Sequence, residues 1–400
     1  MRLLVVMPSY PYSPRVGAAI AACNNVKELS KKYSVYFICF DVAKELAEFA
    51  EFAEHFETVQ PKYIPIFIQL ICYIFYALLR IPFLPATCMK HDMRKRIKEL
   101  MERDKFDAIL LYDLMAIQYC PPCSYKKAIV NVEDPQSIKT YRMRKLPLCS
   151  LRQKAALFIR ARLAEQFEKK YLPKMGKVLL LSEADMRDMR EQGGYDNIGH
   201  VTYGVDKRST EEIVGYEGRT EGMIVFSGSM FHPPNVDGAL FFLQSIFPLV
   251  LQEYSAVVLW IVGAEPDKRI RDAAECFGEH VIITGRVNEI SEYLRRAMVS
   301  VCSVRLKIGV QTKILEALSW GTPVVTTSAG NSGIAGRSGS ELWVEDEPRI
   351  FANRIAALLR GEGWHRLSEE GRKLVEERFS WKRSVIELEQ QIMSIQTASG

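Results

Sequence analysis

Short, nearly all-apolar runs recur along the chain and alternate with longer stretches of helical spacing. The first run, residues 3–7 (LLVVM), stops at Pro8; apolar on both faces, it reads as a buried parallel strand. A loop over 9–17 follows, then helical spacing over about 18–31 and a second strand over 34–40. That order predicts a β-loop-α-β unit, the opening of a parallel sheet with helices on both faces. Further strands are expected at 108–111, 128–132 and 178–181. The rhythm breaks near 190–222 and restarts with strands at 223–226, 256–262, 281–284, 299–304, 323–326 and near 342–344. A charged helical segment over about 368–396 closes the chain. The expected fold class is α/β, with two Rossmann-like β/α/β domains. The divisions are 1–200, 201–372, and a helix over 373–400 that crosses back to the first half.

The chain has 400 residues, 53 Lys+Arg and 48 Asp+Glu. Its length suffices for two substantial cores, and its formal charge of +5 supplies no general attraction for nucleic acid. No nucleic-acid partner is expected. The loop after the first strand lacks G-x-G-x-x-G, which excludes a dinucleotide fingerprint of the NAD or FAD type. Nine cysteines in mostly apolar surroundings read as reduced, buried thiols, and no signal-peptide pattern opens the chain. Cys120-Pro121-Pro122-Cys123 has the spacing of half a zinc site, but lacks a second pair or a nearby histidine, so no metal site is expected.

Two segments depart from the globular pattern. Residues 63–79 carry no charge over 17 positions, at the short margin for a bilayer span, where a buried or interfacial helix is the commoner outcome. Residues 139–162 hold eight Lys/Arg and no acidic residue. Basic residues interleaved with apolar ones suit an anionic membrane face; the plain alternative is a solvated helix surface. A cytoplasmic protein in peripheral contact with the inner face of the membrane is the expectation.

Chemistry concentrates in the second half. Ser227-Gly228-Ser229-Met230 follows a strand and Pro233-Pro234-Asn235 opens a helix. Small residues with free backbone N–H groups at such a junction form an anion cradle. At a second junction Arg305, Lys307 and Lys313 gather at a helix start, an arrangement that calls for an anion. Diphosphate is the natural candidate. Glu316, one turn inside that helix, is placed to receive two ribose hydroxyls. In the first half, Asp113 and Glu133-Asp134 follow strands whose C-terminal ends point toward a ligand cleft. Asp113 and Asp134 are candidates for acceptor binding or proton transfer; a helix cap for Asp113 and a turn residue for Asp134 are the alternatives. Glu168, Glu183 and Asp185 read as scaffold or capping residues.

The segment 312–325 (TKILEALSWGTPVV) resembles the nucleotide-sugar signature of the GT-B glycosyltransferases of family 4. Ser227–Met230 with Pro234-Asn235 is similar to the second signature in the bacterial exopolysaccharide and PEP-CTERM-associated branch. Tyr203-Gly204-Val205-Asp206, Val262-Gly263-Ala264 and Phe379-Ser380-Trp381 also resemble that family. The resemblance implies a GT-B fold whose two domains face each other across a cleft, the first binding acceptor and the second binding donor. It implies a retaining, hexosyltransferase-like enzyme that moves sugar from a nucleotide diphosphate sugar to a glycan or polyprenyl-linked acceptor in cell-surface polysaccharide synthesis. No cofactor and no catalytic metal are implied, Lys313 and Arg305 taking the metal's place. Glu316 would hold the ribose, Lys313 and Arg305 the diphosphate, and Gly228 and Ser229 its other side. Arg286, in the loop 284–287, would flank the base, and Gly17, beside Arg15, would mark the loop closing over the phosphates. Position 308 is isoleucine where the family often has a second glutamate, so that contact with the transferred sugar is not carried over. A catalytically inactive GT-B binding protein is the alternative.

Overall fold

A computed structural model describes residues 1–7, 17–40, 52–60, 65, 67–68, 71 and 90–397. The chain forms two compact units. One comprises Met1–Tyr141, Leu151–Gly204 and Trp381–Gly400, the other Arg142–Ser150 and Val205–Ser380.

The first unit is built on a seven-stranded sheet of order β3-β2-β1-β4-β5-β6-β7. Its strands are β1 (Arg2–Met7), β2 (Ser34–Phe40), β3 (His55–Val59), β4 (Ala108–Tyr112), β5 (Ala128–Glu133), β6 (Lys177–Leu180) and β7 (Ile198–His200). Every pairing is parallel, with Val5 opposite Phe37 on one side and Leu110 on the other. Alternation along β1 divides the core. Leu4 and Val6 join Ile97 and Phe167 on one face, while Leu3 and Val5 join Val26, Leu388 and Ile392 on the other. The helices that matter here are α1 (Gly17–Leu29), α2 (Gln136–Met143), α3 (Leu151–Tyr171) and α4 (Glu183–Gly193).

The second unit carries a six-stranded parallel sheet of order β10-β9-β8-β11-β12-β13. The strands are β8 (Met223–Ser227), β9 (Val258–Val262), β10 (Val281–Gly285), β11 (Val299–Cys302), β12 (Val324–Thr326) and β13 (Trp343–Val344). Helix α5 (Pro233–Phe241) follows β8 and helix α6 (Thr312–Ser319) follows β11. Among the described residues, the helical run Pro233–Glu253 alone has the length and apolarity of a membrane span. Its side chains Val236, Phe242, Ile246 and Val250 fill the core of this unit instead.

Two expectations are corrected. The strands β3 and β7 were not anticipated. One reads HFETV and the other is three residues long, so neither shows an apolar run. The single closing helix is two, Trp364–Arg378 and α7 (Trp381–Thr397). Phe379 leaves helical geometry at φ −127°, ψ 46°, and its carbonyl accepts from Val205 N at 2.9 Å. Helix α7 belongs to the first unit, where Val385, Leu388 and Ile392 pack with Val26 of α1. The loop 8–16, Arg15 included, lies outside the described residues, as does most of the apolar segment 63–86; of its described members Phe67, Ile68 and Ile71 are exposed. Gly17 opens α1.

Candidate functional site

In the second unit, three strand-end loops converge by close backbone approach. Gly228 N donates to Val262 O at 3.0 Å, Met230 N to Ala264 O at 3.0 Å and Gly263 N to Gly285 O at 3.2 Å. A Cβ on Gly263 would stand 1.7 Å from Gly228 O, so glycine is obligatory where β9 ends. At Gly228, φ is 142° and a Cβ would lie 2.9 Å from both Asn235 Nδ2 and Lys313 Nζ. Ser227 Oγ, the last side chain of β8, is buried with no hydrogen-bond partner among the described residues.

Asn235, on the first turn of α5, ties the cradle to α6. Its Nδ2 donates to Ser229 O at 3.0 Å, and its Oδ1 accepts from Lys313 Nζ at 2.7 Å. Lys313 therefore sits in the cradle bonded to an amide oxygen, its ammonium over the Phe226 ring. Burial lowers its pKa, with Glu316 among the groups opposing that. Burial raises the Glu316 carboxyl to about 7, against the pull of Lys313 and Arg208. A buried cation facing a neutral amide, beside a glycine loop whose Ser229 is exposed, is matched to an incoming anion.

Arg305 occupies a different position from a freely pointing phosphate ligand. Its Nε and Nη2 donate to Asp237 at 2.9 and 2.7 Å, and its plane lies over Phe241. Asp237 is buried on α5 and pins this guanidinium, a partner invisible to sequence spacing, since 68 residues separate them. Ser229 is exposed at the cradle's rim. Arg286 is exposed on the loop after β10, 3.7 Å from Glu265. Ile308 is buried, with no polar atom to offer a sugar.

In the first unit, the C-terminal ends of the adjacent strands β4 and β5 bring Asp113, Glu133, Asp134 and Lys139 together. Lys139 Nζ donates to Asp134 Oδ2 at 2.8 Å. Asp113 Oδ1 accepts from Met115 N at 2.9 Å, the helix-cap alternative, and burial raises its pKa. Glu133 was paired with Asp134 in the sequence but not singled out. Among the described residues its Oε1 is buried without a hydrogen-bond partner. Burial first, then Asp134 and Asp113, push its carboxyl up to about 8. Lys139 feels burial lowering its pKa, but the carboxylates around it prevail and raise it. Asp113 and Glu133 both hold positive φ, 79° and 52°, conformations that non-glycine residues adopt at a cost of about 1–3 kcal/mol. Beneath them Asn25 Nδ2 donates to Tyr112 Oη at 3.0 Å.

The residues read as scaffold behave so. Glu168 accepts from Ser137 N at 3.1 Å, and also from Ser137 Oγ, at the start of α2. Glu183 and Asp185 lie in the first turn of α4, capped by Ser182. Cys120 and Cys123 are free thiols, and burial pushes Cys120 up to about 12.

Two parallel α/β sheets of these orders define the GT-B fold. Across 98% of this chain and 100% of the other, the structure is similar to that of Anabaena HepE in complex with UDP and glucose, at TM-score 0.70 and 14% identity. Sucrose-phosphate synthase from Thermosynechococcus elongatus matches 99% of each chain at TM-score 0.71 and 13% identity. WaaG, described as a glycosyltransferase involved in lipopolysaccharide biosynthesis, matches at TM-score 0.62 and 15% identity, over 98% of this chain and 99% of its own.

Within that fold, residues 221–361, all in the second unit, match the family Glycosyl transferases group 1. An uncharacterized 44.6 kDa protein in the cps region of Klebsiella pneumoniae is 25% identical over 138 residues, 33% of this chain and 36% of its own length. The alignment thus spans about a third of that relative.

Proposed function

We propose that the protein is a retaining glycosyltransferase of family 4. It takes a hexose from a nucleoside diphosphate sugar and passes it to a glycan or polyprenyl-linked acceptor for cell-surface polysaccharide. The observation that carries the donor reading is Lys313: a buried ammonium, bonded to the Asn235 amide, beside Gly228. The group 1 match over this unit and neighbours described with UDP and UDP-glucose support it. The cps-region relative supports a surface polysaccharide as product.

In this reading the diphosphate lies on the Gly228–Ser229 backbone and against Lys313. Arg305, oriented by Asp237, adds charge from the α5 side. Glu316 receives the ribose hydroxyls and Arg286 borders the base. The bond from the anomeric carbon to the β-phosphate oxygen breaks as the bond to the acceptor oxygen forms. Negative charge then grows on the diphosphate, where fixed cations and N–H donors stabilise it without reorganising. The acceptor's proton passes to the departing diphosphate, so no metal is required to balance the step. Asp134, Asp113 and Glu133 bind acceptor hydroxyls on the first unit. Asp134 is held by Lys139, and Glu133, protonated below about pH 8, offers a hydrogen-bond donor.

Calorimetry of the full chain against UDP, GDP and ADP tests the donor reading, with a transfer assay using the matching sugar conjugates. Micromolar binding of one nucleotide, lost in Lys313→Met, is the expected result. No binding by folded protein would remove the donor site. Binding without transfer to any acceptor would favour the inactive binding protein.

A further inference from the structure

On α6, Lys313, Glu316 and Trp320 follow at spacings of three and four and so share one face of the helix. Trp320 caps α6, its N–H donating to Glu316 O at 3.3 Å. Arg208, from the segment after Val205, lays its guanidinium on this indole, Cζ 4.4 Å from the ring centroid. A stacked guanidinium keeps its N–H donors in its own plane, open to an acceptor at the ring's edge. Among the described residues Arg208 makes no ion pair, and its Nε is buried without a hydrogen-bond partner. Buried donors left in that state are rare and call for a cause. Glu316 is the complementary case. It is half-buried, its carboxylate accepts no hydrogen bond among the described residues, and the cations that act on it are Lys313 and Arg208.

A carboxyl that receives two ribose hydroxyls must be ionised, because the protonated form is itself part donor. Diphosphate bound at Lys313 cancels that cation's help and adds negative charge nearby, which favours the protonated form. Arg208 sits at the other end of the stripe. We infer that Arg208 is a positioning residue for the donor's ribose: seated on Trp320, it keeps the Glu316 carboxylate charged while the diphosphate occupies Lys313. The inference rests on the donor reading given above. The remaining charged and titratable groups here lie on neighbouring elements. Cys302 of β11 acts on Lys313. Glu212 lies near both Arg208 and Arg295, and Arg295, on the helix Ile290–Arg296, is 5.4 Å from the same indole. The helix Trp364–Arg378 brings Arg372 against Gly321, where it is paired with Glu376 at 3.3 Å.

Calorimetry of the full chain with UDP, GDP and ADP, each beside its 2′-deoxy counterpart, tests it from pH 5.5 to 9. The quantity read is the ratio of ribo to deoxy affinity for the nucleotide that binds, in which titration of the phosphates cancels. In the wild type this ratio should rise with pH through about 7, as Glu316 ionises, and level at about tenfold or more. R208M should move the rise to higher pH, its ratio about two- to fivefold below wild type at pH 7 and close to it at pH 9. R208Q, whose amide also fits against the indole, should do the same, and both should melt near the wild-type temperature. R208K should follow the wild type, and E316Q should be flat with pH. Neutral variants whose ratio tracks the wild type at every pH overturn the inference and leave the donor reading standing. A loss equal for ribo and deoxy nucleotides at every pH overturns it too, making Arg208 a plain phosphate cation. A wild-type ratio near one throughout removes Glu316 from the ribose, and the inference with it, while nucleotide binding stands. Folded wild-type protein that binds no nucleotide removes both readings.

Discussion

Lys313 has a hydrogen-bond partner but, among the described residues, no counter-charge bonded to it, and that imbalance makes it the most informative residue to change. Lys313→Met keeps an unbranched apolar side chain, one atom shorter, beside Phe226 while removing the charge. A charged hydrogen bond contributes about 1.5–3 kcal/mol, so UDP affinity should fall roughly 10- to 150-fold in calorimetry, with the melting temperature equal or higher. At Glu133 the discriminating comparison is Gln against Ala. If its proton is what meets the acceptor, Glu133→Gln should keep acceptor KM near wild type at pH 7, and Glu133→Ala should raise it several-fold. Wild-type KM should climb above about pH 8, as the carboxyl ionises, while the Gln variant stays flat. Lys313 and Glu316 were legible in the sequence because they sit three residues apart at a helix start that follows a strand. Asp237 and Asn235 were not legible as partners. Their roles depend on α5 lying beside the loop after β11, which brings residues 68 and 78 positions apart into hydrogen-bond range.

Elements were readable where burial on both faces leaves an uninterrupted apolar run. β1, β4 and β8 have nearly every residue buried, and each was expected within a residue or two. Edge strands lose that signature: among the described residues β3 pairs only with β2, and its residues are at best half-buried. The junction after β8 carries its own prediction. Gly228→Ala puts a methyl group 2.9 Å from Lys313 Nζ and Asn235 Nδ2, at a φ that disfavours any side chain. A stability loss of about 2 kcal/mol is expected, visible in urea unfolding. Donor affinity should fall too, since the cradle must open to admit the methyl.

At the scale of the molecule, buried acids couple stability to pH. Glu133, Glu168 and Glu316 are held up to about 8, 7 and 7, each mainly by burial, against an ordinary value of 4.5. The native state thus holds more protons than the unfolded state above pH 4.5, so stability falls as pH rises toward 8 and then levels. Urea midpoints measured from pH 5 to 8.5 should decline, and E133Q/E316Q should flatten the decline. Arg219 tests the second unit. Its buried guanidinium donates to the carbonyls of Val214, Leu294, Ala297 and Trp320 and to Thr322 Oγ1. Arg219→Met strands those acceptors and should cost about 3–5 kcal/mol. Tryptophan fluorescence reports it, because four of the five tryptophans, at 260, 320, 343 and 364, belong to that unit.

The chain enters the second unit at Arg142–Ser150, leaves it, returns at Val205, and ends in the first unit with α7. Order of synthesis then differs from order of completion. When a ribosome has made residues 1–204, the surface of α1 that Leu388 and Ile392 will cover is still open to water. The apolar side chains waiting there are those most able to capture a neighbouring nascent chain. The second unit, complete by Ser380, can close first, and the unit begun earliest is finished last. Moving α7 in front of β1 by circular permutation would remove that delay, and the benefit would be seen as a larger fraction of chain recovered folded rather than as a higher melting temperature.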